Sequence, residues 1–469
     1  MRRSNAGNGR ISLPVVLAYV APCLSLSALS LPLVVYLPTF YANQVGLPLA
    51  IIGSVFMLVR VFDIMMDPVL GSLMDRTRTK FGRFRMWMLI GAPLTLTGAI
   101  LLFFPPADAT GVYLFCALLV AYFGYSINIL AHTAWGSTLT SSYHERAKVY
   151  GFWQSANITG LIMVLAVPVI AAAIGFTNPG DRVRAMGAFS ICLMPFTIGL
   201  MTLLTPESAP MTTGAHRSWV NTFKALAGLL KHNLVQRVLA ADLVLGLAPG
   251  ITGALFLFFF GTVKGYSAAV SSLLLLCYFI GGISGAPGWM WLSRRLGKHR
   301  ALIIACIYYA VTQLGVVFLP RLPVMGAALV LFTAGLAYAA STFLLRALMA
   351  DVVDDVTLST GKVETPLLFA LLSSTNKLGY ALAVGITFNG LALIGFKAAE
   401  GAHNSASAIS GLSMLYGLVP PALAVLGALC FVGYNLTEAR HTEIRAEIDR
   451  LHIGDKGDED SGIMTPAGH

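Results

Sequence analysis

Long apolar runs constrain this chain more than any other feature. A helix that crosses a bilayer needs roughly 20 mostly apolar residues. Runs of that kind occupy 14–40, 47–73, 84–104, 111–140, 149–174, 185–204, 234–262, 268–293, 300–319, 323–350, 364–394 and 408–435. Between them charge is scarce: 11% of the 469 residues are charged and 57% hydrophobic, where soluble domains carry about 25% charged residues. In lipid, backbone groups have no water to bond, so segments of this length must be helices that satisfy themselves. The chain therefore reads as an all-α polytopic membrane protein with twelve transmembrane helices. The basic start, "MRRSNAGNGR", precedes a long apolar segment with further spans behind it. That reads as a first span, not a cleaved signal.

The longest break, 205–233, is polar and then amphipathic, and it divides the spans six and six. The expected organisation is an N-terminal half (1–204), a linker (205–233), a C-terminal half (234–435) and a tail (436–469), with a short surface helix followed by disorder. With the N-terminus inside, the cytoplasmic segments and the first turns of the spans that leave them hold 23 of the 31 Lys and Arg, the opposite side holds 5, and three lie deeper in spans. The positive-inside rule then puts both termini in the cytoplasm. It also accounts for the net charge of +10 without a nucleic-acid partner. The six cysteines all lie in apolar runs with no CxxC spacing, which reads as reduced thiols and neither disulfides nor metal ligands.

Two segments repeat. "GSLMDRTRTKFGRFR" (71–85) closes the second span and "GAPGWMWLSRRLGKHR" (285–300) closes the eighth. Six spans separate them, so both copies share one membrane orientation. That parallel two-half arrangement is the major facilitator fold. Gly82 and Gly297 allow tight turns between helix ends. Asp75, Arg76, Arg83, Arg85 and Arg300 complete a cytoplasmic latch that has no direct substrate role. Arg346 with Asp351, Asp354 and Asp355 reads as a helix-end network or gate on the same side.

A charge within a span costs several kcal/mol unless it is paired or faces water (about 2.5–3.5 on insertion scales). Asp63 and Asp67 are one helical turn apart and share a face, with Arg60 three residues earlier. Two carboxylates in a low-dielectric cavity repel, so a proton or cation held between them is expected. The bland alternative is that Arg60 and Lys377 neutralise the pair as packing glue. Lys377 sits well inside the eleventh span, which favours a partner over snorkelling. Asp242 is as readily a plain ion pair as a functional group, and His132 a hydrogen-bonded core histidine. No nucleophile triad, phosphate loop or metal cluster is present in the sequence, so an enzyme is the least supported class and no cofactor is implied. Without an ATP site, uphill transport must use an ion gradient.

The stretch "RVFDIMMDPVLGSLMDRTRTKFGRFRMWMLIGAP" resembles the signature of the glycoside–pentoside–hexuronide:cation symporters, the melibiose permease family. "ALMADVVDDVTLSTGK" and "SSTNKLGYALA" resemble that family's segments after the tenth span and in the eleventh. The resemblance implies cation-coupled symport by alternating access, with Asp63 and Asp67 as cation ligands and Lys377 nearby. This sequence departs from the family's sugar transporters at four places. Ser27 stands where they have a first-span acid, Met66 where they have a polar residue, Ile129 where they have a fourth-span acid, and Gln154 where they have a fifth-span arginine. Ser126 still offers a hydroxyl to the cation site.

These departures favour H+ over Na+, because sodium needs several oxygen ligands and Met66 and Ile129 supply none. A possible Na+ at Asp63 and Asp67 is the only metal site left open. Without acids and an arginine, the pocket lacks the charge-assisted grip of a sugar site. Ser27, Tyr36, Tyr41, Asn128, His132, Trp135, Trp153, Gln154 and Lys377 would form a more neutral, aromatic cavity, with Pro32 and Pro38 breaking the first helix. The expected partners are the bilayer, a coupling cation and a small solute, glycoside-like or amphiphilic. The expected setting is a monomer in the cell membrane, the inner membrane in a Gram-negative bacterium. A proton-driven exporter or lipid flippase of the same fold, and a non-transporting sensor or scaffold, are the competing readings.

Overall fold

The computed structural model describes residues 12–77, 79, 82–139, 143–207, 226–361, 365–398 and 402–451. They form twelve membrane-crossing helices: Leu13–Val45, Leu49–Met74, Phe84–Phe103, Gly111–Gly136, Phe152–Ala173, Pro179–Leu204, Asn233–Val263, Ala268–Leu296, Lys298–Phe318, Val324–Thr360, Leu367–Leu393 and Ala406–Leu429. They are called spans one to twelve below. The apolar runs dictate helices because each backbone group must bond within its own segment. Start signals are local. Spans four, six, eight and twelve open on Thr110, Asn178, Ser267 and Ser405, whose side chains accept the N–H of Tyr113, Gly180, Val270 and Ala408. Spans two and ten open directly after Pro48 and Pro323.

Span one differs from expectation. Pro32 and Pro38 do not break it. The helix Leu13–Leu31 continues through a wide π turn at Pro32–Tyr36, a short α segment Leu37–Phe40 and a second wide turn Tyr41–Val45. Such turns absorb the hydrogen bond a proline cannot donate. Span ten also runs past the end of its apolar run at 350, reaching Thr360. Its last turns carry Asp351, Asp354 and Asp355, which find cationic or histidine partners there.

The two halves meet along two seams. Span two packs on span eleven, and span five on span eight. At the end away from the termini, the Pro32–Phe40 stretch of span one packs on span seven. Glycine allows the closest approach between spans two and eleven. A Cβ on Gly53 would lie 2.8 Å from the Cβ of Phe388, and one on Gly385 would lie 2.8 Å from the Met57 sulfur. A tail helix, Glu438–Leu451, docks on span ten through Ile444 and Ile448, an i, i+4 apolar pair buried in the C-terminal half's core.

Candidate functional site

The charges that stand out in the sequence converge at the middle of the seam between spans two and eleven. Asp63 is 7% exposed. Its Oδ1 accepts a hydrogen bond from Ser126 Oγ of span four at 2.5 Å, and its Oδ2 lies 3.5 Å from the Arg60 guanidinium and 3.6 Å from Lys377 Nζ. Lys377 also forms an ion pair with Asp67 Oδ2. Arg60 is held from its other side by the Tyr122 ring, 3.9 Å from guanidinium carbon to centroid. The quartet carries two positive and two negative groups. One atom is left over: Asp67 Oδ1 is buried and accepts no hydrogen bond among the described residues.

Arg60 and Lys377 face a cavity of about 350 Å³ between the halves. From the N-terminal half come Ser30, Val34, Tyr122, Tyr125, Ile129 and Leu161; from the other come Thr252, Phe256, Tyr278, Tyr338, Asn376 and Tyr380. The walls are largely aromatic and apolar, with hydroxyls, one amide and two cations set among them. That is the composition of a small-molecule site in which a few polar groups fix orientation.

Of the substrate-facing residues expected from sequence, Lys377 lines this cavity and the others do not. Ser27 is buried against its own helix and donates to Asn157 Oδ1 at 2.9 Å. Asn128 faces span three, donating to Thr95 Oγ1 at 3.0 Å and to the Gly124 carbonyl at 3.1 Å. His132 stacks on Tyr19 at 4.6 Å, with Nε2 2.8 Å from the Tyr19 carbonyl. Trp135 is fully buried and donates to the Pro206 carbonyl at 3.1 Å. Tyr36 and Tyr41 are buried in the wide turns of span one, and Tyr41 donates to the Leu102 carbonyl. Trp153 is half-buried and Gln154 exposed, and both lie off the cavity wall. Ser27, Tyr41, Asn128 and His132 bond to neighbouring helices and so serve helix packing.

The latch residues form two separate networks at the end that carries the termini. In the first, Glu207 caps span three: its carboxylate accepts from the backbone N–H of Arg83 at 2.6 Å, of Phe84 at 2.7 Å and of Arg85 at 3.3 Å. The Arg83 side chain bonds the Met74 carbonyl and that of Arg85 the Thr205 carbonyl. Burial pushes the Arg83 guanidinium below its usual range, and the Glu207 charge opposes that shift. Gly82, at φ 103°, makes the turn. The side chains of Asp75 and Arg76 lie outside the described residues.

In the second network, Gly297 (φ 87°, ψ 153°) turns the chain from span eight to span nine in a conformation open essentially to glycine alone. Lys298 reaches Asp351 at 2.6 Å. His441 and Arg445 of the tail helix reach Asp354 at 2.8 and 3.0 Å, and His232 reaches Asp355 at 3.3 Å. Arg346 and Arg300 are exposed, and neither joins these ion pairs among the described residues. The repeated glycines thus share a role, while the groups around them differ.

Sequence reasoning missed Tyr122, Tyr125, Asn376, Tyr380 and Glu207. Four of these carried a usable signal: Tyr122 and Tyr125 lie four and one before Ser126 on span four, and Asn376 and Tyr380 lie one before and three after Lys377. Glu207 had none, because its partner is a helix end more than 120 residues away.

Residues 18–438 match the family described as MFS/sugar transport protein. The Escherichia coli (strain K12) inner membrane symporter YicJ is 25% identical over 410 residues, 84% of this chain and 85% of that protein. The glucuronide carrier protein homolog of the same organism is 24% identical over 425 residues, 88% of this chain and 90% of its own. The crystal structure of the nucleoside transporter NupG superposes with a TM-score of 0.66 at 14% identity, over 90% of this chain and 99% of that one, a likeness of fold. This chain therefore belongs to the MFS/sugar transport protein family and is a multi-pass membrane transporter, not an enzyme.

Proposed function

We propose that this transporter carries out proton-coupled symport of a glycoside-like or amphiphilic solute by alternating access. One observation carries the reading: the buried, unbonded Oδ1 of Asp67 beside Asp63, within a charge quartet that spans both halves. A proton on Asp67 satisfies that oxygen and weakens the hold of the two acids on Lys377. The freed ammonium then projects into the cavity it already lines, where it donates to a solute oxygen. Coupling follows because ion and solute favour the same rearrangement.

The preference for H+ rests on donor count. Beside the two carboxylates, one further side-chain oxygen reaches the acids among the described residues, Ser126 Oγ, which donates to Asp63. Met66 and Ile129 add none, and Lys377 and Arg60 repel a second metal-like charge. A proton needs only one of these oxygens. The solute class rests on the cavity, whose aromatic faces suit sugar rings or an apolar aglycone while few charges grip hydroxyls.

The test is uptake into proteoliposomes of labelled phenyl glucuronide, raffinose and a lysolipid. An inward proton gradient should drive accumulation of a glycoside, and a protonophore should abolish it. Asp63→Asn and Asp67→Asn should each reduce gradient-driven uptake by 100-fold or more, on the order of 3 kcal/mol of lost coupling. Uptake driven by a sodium gradient and insensitive to the protonophore would overturn the choice of ion. Accumulation of the lysolipid alone would overturn the solute class.

A further inference from the structure

Consecutive residues of span eleven face in two directions. Lys377 reaches Asp63 and Asp67 in the N-terminal half. Thr375 and Asn376 reach the other way, to Asp242 of span seven: Thr375 Oγ1 donates to Oδ2 at 2.7 Å, and Asn376 Nδ2 lies 3.4 Å from Oδ1. Helix geometry sets Thr375 opposite Lys377, since residues two apart point about 200° away from each other. Asp242 is 4% exposed, and no cation lies within ion-pair distance of it among the described residues. Of the two readings open for Asp242 from sequence, the plain ion pair is thus not formed among the described residues. The titratable and charged groups that act on it are Tyr380 of span eleven, Tyr338 of the adjoining pocket and the exposed Arg346 of span ten. Spans eight and twelve and the packed part of span one place no further charge against it among the described residues.

The donor set suits both forms of the carboxyl. The Thr375 hydroxyl has one proton and three acceptors within reach: Asp242, the Leu372 carbonyl at 2.9 Å and the Leu371 carbonyl at 3.2 Å. When Asp242 is ionised, the hydroxyl donates to it. When Asp242 is protonated, its own O–H donates to Thr375 Oγ1 and the hydroxyl turns to a backbone carbonyl. Nothing else has to move. A small pocket also separates Asp242 from the central cavity's wall. Asp242, Ser341 and Thr342 line a pocket of about 10 Å³, near the room one water requires. Tyr338, Asn376 and Tyr380 line both that pocket and the central cavity.

We propose that Asp242 is a second proton-binding carboxyl, reached from the central cavity past Tyr338, Asn376 and Tyr380, and joined to the Asp63/Asp67 pair through residues 375–377. Proton binding at Asp242 removes the charge that orients Thr375 and Asn376, and the same helix turn carries Lys377. The site adds to the proton-coupled reading, but its occupancy is measured without transport.

The experiment is infrared difference titration of the full-length protein in detergent, from about pH 4 to about pH 9 around the carboxyl range. Wild type should show a carboxylic C=O band that disappears as the pH rises through this range. Asp242→Asn should lose that band, while Asp63→Asn and Asp67→Asn should keep it. Thr375→Val, which retains the acid and nearly the same shape, should raise the midpoint by about one pH unit, because a hydrogen bond to the ionised form is lost. A titration unchanged in Asp242→Asn, or a midpoint unmoved in Thr375→Val, would overturn the proposal and leave the Asp63/Asp67 reading standing.

Discussion

Lys377 has one ammonium and two carboxylates to serve. Its side chain is 27% exposed, against 3% for Asp63 and 22% for Asp67, so the pair is half-screened on one side only. Removing one partner of such a contact leaves the other desolvated and uncompensated, whereas removing both does not. In thermal melts at neutral pH, Lys377→Met and Asp67→Asn should each lower stability by more than the double variant does, with a coupling of about 1–3 kcal/mol. Additive losses would mean that the ion pair contributes nothing. These residues were legible in the sequence because a charge inside an apolar run is costly and therefore conspicuous. His132, Trp135 and Asn128 were equally conspicuous, yet they face neighbouring helices. Which face of a buried helix meets a cavity depends on packing partners distant in the chain, and a single run of residues does not encode that.

Span three starts at a turn that its own residues do not cap. Three of its N–H groups rest on Glu207, from just beyond span six. The orphan donors of a helix start are worth about 0.5–2 kcal/mol when capped, and a carboxylate also favours the helix dipole. Glu207→Ala should cost about 1–2 kcal/mol and speed hydrogen exchange at the amides of residues 83–85, while Glu207→Gln should do less of both. Unchanged exchange at those amides would refute the cap. Element positions were easy to read, since apolar run length fixes a span. Their ends were not: span ten exceeds its apolar run because ion pairs to the tail helix and to Lys298 replace hydration. Span one keeps its helix because wide turns accommodate its prolines.

Across the whole molecule, the only ion pairs that join the two halves among the described residues are those of Lys377. At the end away from the termini, the seam between spans two and eleven closes on glycine. Cysteines at Met57 and Gly385, in a background lacking the six native ones, should therefore form a disulfide on oxidation, after the backbones part slightly to the usual ~3.8 Å between Cβ atoms. Transport should stop and return on reduction. Transport that persists in the fully oxidised protein would show that this end need not open. The quartet has a further consequence. Arg60, Asp63, Asp67 and Lys377 sum to zero, so under the proposed proton coupling one bound proton gives the quartet a net unit charge when loaded and none when empty. A unit charge crossing the membrane is worth about 2.3 kcal/mol per 100 mV. Membrane voltage, negative inside, would thus pull on the loaded quartet and not on the empty one, making the cell's electrical potential a driving force separate from its pH gradient.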